Sequence, residues 1–153
     1  MRGLVLLIIC WITFDAQGQD IARLRREFVA ASTSAAAAET FLQTTEKISA
    51  VSKPLLVAYR GAALLIGGKY AKEISNKKKM AREGISLLES AVSKAPDHVE
   101  IRTLRLSIQE NSPKVLKYKT KIAEDRAFVT RKFEELPEGD LKAFVGGYLK
   151  GSE

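Results

Sequence analysis

Apolar residues recur at three- and four-residue intervals along most of the chain, which is the periodicity of an amphipathic α-helix. The clearest example lies within residues 84–113, where Leu88, Val92 and Ala95 fall on one helical face. Pro96 disfavours a helical conformation at the residue before it. The pattern therefore predicts a helix that ends at Ala95 and is followed by a tight turn.

A second helix is predicted directly after this turn. Asp97 can cap its N-terminus, and Glu100, three residues on, can reach back to the cap. The apolar residues of this helix form two stripes, and a helix with two apolar sides is expected to have neighbours on two sides. The first stripe consists of Ile101, Leu104 and Ile108, and the second of Val99 and Leu106.

The remaining segments also predict helices. Residues 19–51 are rich in Ala, Ser and Thr, with a break and cap predicted at 32–34. Pro54 is predicted to open the next helix, because proline is tolerated in a first turn, and Gly67-Gly68 to end it. No stretch shows the alternation of a β-strand between turn dipeptides. We therefore expect an all-α protein with five to seven helices.

Two prolines mark the remaining helix starts. Ser112-Pro113 is predicted to cap the helix that follows it. Pro137, with the acids Glu138 and Asp140, is predicted to open the last helix, where acidic residues complement the helix dipole. This last helix is amphipathic and has two interpretations, a lid on the helix stack or an interface for a partner. Its apolar residues are Leu141, Phe144, Val145, Tyr148 and Leu149.

The N-terminus has the pattern of a secretory signal peptide. Arg2 precedes the apolar run Leu4–Phe14, and small residues, Ala16 and Gly18, follow. The run is shorter than the roughly 20 residues that a membrane span needs. Ile9, before Cys10, is not the small residue that lipid attachment requires. We expect a signal peptide at 1–18, cleavage near Gly18, a single domain at 19–153 without a transmembrane span, and export to the periplasm or beyond.

Within residues 84–96, the order of small, large, small and proline residues resembles a degenerate tetratricopeptide repeat. In outline the chain also resembles small exported helical proteins of bacteria. The resemblance implies antiparallel hairpins stacked as a short right-handed array that binds a protein or peptide of the cell envelope. The residues that carry it are Gly84, Leu88, Ala91 and Pro96. The positions that the resemblance assigns to the ligand, on the exposed side of the 99–110 helix, are Glu100, Thr103 and Ser107.

Arg102 and Arg105 depart from this repeat pattern, because they occupy places usually given to core side chains. They lie three residues apart and so share a helix face. Burying two guanidinium groups without partners would cost several kcal/mol each. The next helix interrupts its apolar stripe at Asp125, beside Glu124. We therefore expect at least one arginine to pair with Glu124 or Asp125 as a structural clamp.

Residues 69–82 carry six basic side chains and one acidic one, a net charge of +5 in a chain whose total is +7. One interpretation is a site for polyanions such as lipid headgroups, acidic glycans or nucleic acid. The other is a solvated surface. Nucleic-acid binding usually adds aromatic residues for stacking, and only Tyr70 lies near. The candidate anion-binding residues are Lys77, Lys78, Lys79 and Arg82.

The residue types limit the possible chemistry. Cys10 is the only cysteine and lies in the predicted signal peptide, and His98 is the only histidine. A thiol nucleophile or a His/Cys metal site cannot be assembled from them. The paired glycines lack the surroundings of a phosphate loop. We expect no cofactor, no metal and no enzymatic activity, with a carboxylate-only hydrolase as the remaining catalytic alternative.

Two classes of function follow from the sequence. The first is an exported helical interaction module that binds a protein or peptide partner. The second is a basic adaptor for anionic surfaces, centred on residues 77–82. Salt distinguishes them, because polyanion binding weakens steeply as salt rises whereas binding in an apolar groove does not.

Overall fold

The computed structural model describes residues 16–151, with side chains described from residue 20 onwards. Within that range the chain forms seven α-helices and one short 3-10 helix and no strand, so the prediction of an all-α fold with five to seven helices is confirmed. The helices are α1 (Ala16–Ala31), α2 (Ala35–Thr45), α3 (Pro54–Tyr70), α4 (Ile74–Lys94), α5 (Val99–Asn111), the 3-10 helix (Lys114–Leu116), α6 (Ile122–Glu135) and α7 (Asp140–Gly151).

The apolar run of the predicted signal peptide, Leu4–Phe14, lies outside the described residues, and the cleavage near Gly18 stays a prediction. α1 is already helical from Ala16. None of the helices that the structure describes is both long enough and apolar enough to cross a bilayer.

α3 and α4 are the most extensively paired helices, and residues 71–73 connect them. They cross at Gly61 and Gly84. A Cβ atom built on either glycine would lie 2.8 Å from the carbonyl oxygen of the other, so this crossing has no room for a side chain. The prediction that Gly67-Gly68 ends α3 is wrong: α3 continues to Tyr70, and both glycines are buried where the helix passes its neighbours.

α5 lies between two apolar clusters. Ile101, Leu104 and Ile108 belong to the larger cluster, together with residues of α1 to α4. Val99 and Leu106 belong to a smaller cluster formed with α6 and α7. The prediction that α5 has neighbours on two sides is therefore confirmed, and α5 connects the two halves of the core.

The local signals at helix ends were correct in some places and wrong in others. Ser34 caps α2, its hydroxyl oxygen accepting a 3.2 Å hydrogen bond from the amide of Ala37. α4 ends at Lys94, two residues before Pro96. The predicted cap at Asp97 does not form, because α5 begins at Val99 without a side-chain cap. The helix predicted after Ser112-Pro113 is only a 3-10 turn.

α6 therefore begins later than the sequence pattern suggested, at Ile122. The segment before it passes through Lys117, whose φ of 50° is in the left-handed region and prevents continuation of the helix. α7 packs against α5 and α6, and its Val145 is fully buried in the smaller cluster. This position agrees with the lid interpretation of the last helix.

Candidate functional site: the basic face of α4

The first two turns of α4 carry no buried side chain. All residues from 72 to 79 are exposed, and the first buried residue of the helix is Ala81. Among the side chains that the structure describes, no other run of consecutive exposed residues is as long. The side chains of this half of α4 therefore contribute little to the core, whereas Leu88, Ala91 and Val92 later in the helix belong to the larger apolar cluster.

Three of the four candidate anion-binding residues lie together on this helix. Arg82 is four residues after Lys78 and three after Lys79, so all three share one side, here called the basic face. They line an open depression of about 500 Å³, together with Ser75, Glu83, Ser86 and Leu87. The fourth candidate, Lys77, points elsewhere, since its Nζ donates a 3.4 Å hydrogen bond to the carbonyl oxygen of Lys69 at the end of α3.

The basic side chains of this face form no ion pair among the described residues, although Glu83 lies in the same depression. In the part of the chain that the structure describes, no carboxylate oxygen lies within 4.0 Å of the side-chain nitrogens of Lys78, Lys79 or Arg82. The adjacent groove between α2, α3 and α4 differs, because three acidic residues balance its three basic ones. Its charged lining residues are Glu39, Glu46, Glu83, Arg60, Lys72 and Lys79. Basic side chains without an ion-pair partner therefore outnumber the acidic one on the outer side of α4, three to one.

The structure corrects the expectation for Glu100, Thr103 and Ser107. The side of α5 that was expected to be exposed lies inside the protein: Glu100 and Thr103 are 1% and 0% exposed, and Ser107 is half-buried. The physical reason is the position of α5 between two clusters, which leaves no open ligand-facing side at these residues. Thr103 donates its hydroxyl to the backbone carbonyl of Val99.

Glu100 has two partners inside the core. The guanidinium of Arg25 donates two hydrogen bonds to its carboxylate, at 2.9 and 2.8 Å, and the hydroxyl of Tyr59 donates a short one. Burial and the neighbouring Glu100 carboxylate raise the pKa of the Tyr59 phenol above its ordinary value. The Glu100 carboxylate is thus compensated within the fold, as a buried charge must be.

Arg102 and Arg105 both contact Asp125, which is 0% exposed. Arg105 donates two hydrogen bonds to the two carboxylate oxygens of Asp125, at 2.6 and 2.8 Å. The Nε atom of Arg102 lies 2.6 Å from Oδ1 of Asp125 but makes no hydrogen bond there, so this contact is a charge pair only. Arg102 also donates a 3.1 Å hydrogen bond to Glu124. The structure therefore brings all four residues of the expected clamp together.

A third acid completes the surroundings of these arginines. Glu89 accepts a 2.9 Å hydrogen bond from Arg105 and a 2.5 Å one from the hydroxyl of Tyr118. Burial and this hydrogen bond raise the pKa of the Tyr118 phenol. Two arginines thus face three carboxylates, so the cluster has no positive charge left over for an anionic ligand. Its role as a stabilising clamp stays a prediction.

The most deeply buried acids are engaged within the fold. Glu100 and Asp125, the acids least exposed to solvent, are both occupied by arginines and cannot reach a substrate. His98 lies at the start of α5 and its Nδ1 is buried without a hydrogen-bond partner. Within residues 20–151, no three side chains of His, Cys, Asp or Glu are grouped as a metal site would require.

Sequence reasoning assigned no functional role to four residues that matter here. Arg25 and Tyr59 are 75 and 41 residues from Glu100, and no local pattern indicates such pairings. Tyr70 and Ile74, which flank the α3–α4 connection, are 36% and 69% exposed. For Ile74 a signal was available, since it is a single large apolar residue within a polar and basic segment.

Comparison of this chain with protein-family models, with curated proteins and with solved structures gave no match. The resemblance to a tetratricopeptide repeat accordingly rests on residues 84–96 alone and stays a prediction, as does the right-handed stacking that it implies.

Proposed function

We propose that this protein is an exported, non-enzymatic binding module that attaches to an anionic surface through the basic face of α4. The observation that supports this most strongly is the contrast in pairing. The arginines of α5 are matched by carboxylates, whereas Lys78, Lys79 and Arg82 are exposed and have none within 4.0 Å in the described part of the chain. Exposed basic groups on one helix face create a local positive potential that attracts polyanions.

The other function class, a groove for a protein or peptide partner, loses the residues on which it depended. Glu100 and Thr103 are buried in the core. Exposing them to a ligand would require α5 to move away from the two apolar clusters that pack against it. The binding-module part of the proposal is retained, and its binding surface moves from α5 to α4.

The export part of the proposal rests on residues 1–18 of the sequence. Cleavage near Gly18 would remove the only Trp and the only Cys, Trp11 and Cys10. Mass spectrometry of protein recovered from an expressing bacterium tests this part. An intact N-terminus, or a lipid on Cys10, would contradict export by a cleaved signal peptide.

The binding part can be tested with heparin, a soluble polyanion, and a triple charge reversal, Lys78→Glu, Lys79→Glu and Arg82→Glu. One Lys or Arg near an anionic surface contributes about 1 kcal/mol, so the variant should bind about 100-fold more weakly or worse. Binding of the parent chain should weaken steeply as salt rises.

A matched control is the triple variant Lys47→Glu, Lys114→Glu and Lys150→Glu. These lysines are exposed and belong to other segments, and both triple variants carry a net charge of +1. The control should retain most of the parent affinity at the same salt concentration. Equal losses in the two variants would mean that net charge and not the basic face determines binding, and the proposal would then be wrong.

A further inference from the structure

The α3–α4 connection combines exposed apolar side chains with positive charge. Ile74, the first residue of α4, is 69% exposed, and Tyr70, the last residue of α3, is 36% exposed. Five large hydrophobic residues are notably exposed among the described side chains, and only these two lie within four positions of each other. Lysines lie before, between and after them in the sequence, at positions 69, 72, 77 and 78.

Exposed Tyr and Ile beside lysines match the chemistry of a membrane–water interface. Tyrosine is enriched at the level of lipid headgroups, because its ring is apolar and its hydroxyl is polar. An isoleucine gains free energy on leaving water for an acyl-chain environment. Lysines attract anionic headgroups and keep their charge at the polar surface. Nucleic-acid binding would instead use several aromatic residues for stacking, and this segment has one.

We propose that the α3–α4 connection docks on a bilayer that contains anionic phospholipids, with Ile74 inserted at the acyl-chain boundary and Tyr70 at headgroup level. The basic face of α4 then lies against the anionic headgroups. This inference rests on the proposed function and names the anionic surface as a lipid membrane. This docking gives a binding role to the exposed segment 72–79, whose side chains are not needed in the core.

The test is a site-specific measure of insertion in the full chain. Trp11 is replaced by Phe so that a new Trp is the only one, and Ile74→Trp is compared with Val115→Trp. Val115 is the matched control, because it is 83% exposed and lies in the 3-10 helix. Emission is recorded with phosphatidylcholine vesicles, with mixed phosphatidylglycerol vesicles, and with the same mixed vesicles carrying brominated acyl chains. Attachment through residues 4–14 would not by itself insert the Trp at position 74, so the comparison of positions 74 and 115 distinguishes it from insertion at α4.

Insertion predicts a blue shift and bromine quenching of the Trp at position 74 on the phosphatidylglycerol vesicles, with neither change at position 115. An Ile74→Ala variant, Val115→Ala serving as its control, should bind these vesicles roughly tenfold more weakly, as expected from loss of an apolar anchor. Its heparin affinity should stay within twofold of the parent.

Two results would overturn the inference and leave the proposed function standing. One is an unchanged, unquenched emission from position 74 while heparin binding still depends on the basic face. The other is tighter binding of a short DNA duplex than of the vesicles at equal phosphate concentration. If the parent chain shows no salt-dependent binding to heparin, both the proposed function and this inference are wrong.

Discussion

The basic residues of α4 and those of α5 occupy opposite environments within one small protein. On α5, Arg102 and Arg105 are 8% and 3% exposed and contact Asp125. On α4, Lys78 and Lys79 are exposed and have no carboxylate partner among the described residues. Whether a basic side chain has a carboxylate partner therefore indicates its role better than its charge alone: we expect paired residues to stabilise the fold and unpaired ones to be available for binding.

The physical reason for the difference is desolvation. A guanidinium taken out of water needs a carboxylate and further hydrogen bonds in return, so a buried arginine belongs to the fold. An exposed lysine keeps its hydration, contributes little to stability and stays available to a partner. We expect substitutions on α5 to change the free energy of unfolding and substitutions on the basic face of α4 to change binding.

The largest effect is expected for Asp125→Asn. This change leaves the Arg102 and Arg105 guanidiniums without their shared anion, and breaking a buried pair costs about 3–5 kcal/mol. The measurement is the free energy of unfolding in urea. Glu124→Gln is the control, because Glu124 is 50% exposed and should lose at most about 1 kcal/mol. An Asp125→Asn variant as stable as the parent would show that the cluster is no clamp.

The next effect concerns the inner side of α4. Gly84→Ala places a Cβ 2.8 Å from the carbonyl oxygen of Gly61, so α3 and α4 must move apart. We expect a loss of about 1–3 kcal/mol despite the better helix propensity of Ala. Gly147→Ala is the control, since nothing lies within 4 Å of its Cβ and it should gain stability. Equal melting temperatures for the two variants would contradict the close crossing.

Alkaline pH should lower the free energy of unfolding of the whole protein. The pKa values of Tyr59 and Tyr118 are raised, first by burial and then by the acids beside them. The unfolded chain therefore releases these protons at lower pH, so stability is fully present below about pH 10 and falls as pH rises above it. The loss is at most about 1.4 kcal/mol per pH unit for each phenol.

Urea unfolding at a series of pH values tests this, with Tyr59→Phe as the comparison. The variant is expected to be less stable at neutral pH, where it lacks the hydrogen bond to Glu100, and to lose less on going to alkaline pH. The account of the buried phenols fails if parent and variant show the same pH dependence.

The smallest effect on stability is expected for the triple charge reversal at Lys78, Lys79 and Arg82. The exposed side chains make no ion pair that would be lost, so the free energy of unfolding should stay within about 0.5 kcal/mol of the parent. A loss of several kcal/mol would show that these residues stabilise the fold, as the arginines of α5 are expected to do, and would contradict the proposed difference between the two helices.

The sequence predicted those parts of the fold that depend on neighbouring residues. The two stripes of α5, the Ser34 cap and the stop before Pro96 follow from spacing and backbone chemistry within one helix. Asp125 was recognisable because a carboxylate within an apolar stripe requires a positive partner nearby.

The rest depended on contacts between distant segments. Glu100 has the spacing of a capping residue, but Arg25, 75 positions away, holds it in the core. The glycines at 67 and 68 have the pattern of a helix end, but their lack of side chains serves close packing against neighbouring helices. The exposure of Ile74 and Tyr70 likewise depends on where the core ends, which no local pattern reports.

The central claim, that the basic face of α4 is the binding surface, is tested most directly by lysine protection in the unmodified chain. An amine-reactive reagent is applied with and without heparin, at low and at high salt, and modification at each lysine is read by mass spectrometry. We predict protection of Lys78 and Lys79 at low salt, loss of that protection at high salt, and no change at Lys47, Lys114 or Lys150. Equal protection at all five lysines, or none at Lys78 and Lys79 while heparin is bound, would contradict the account.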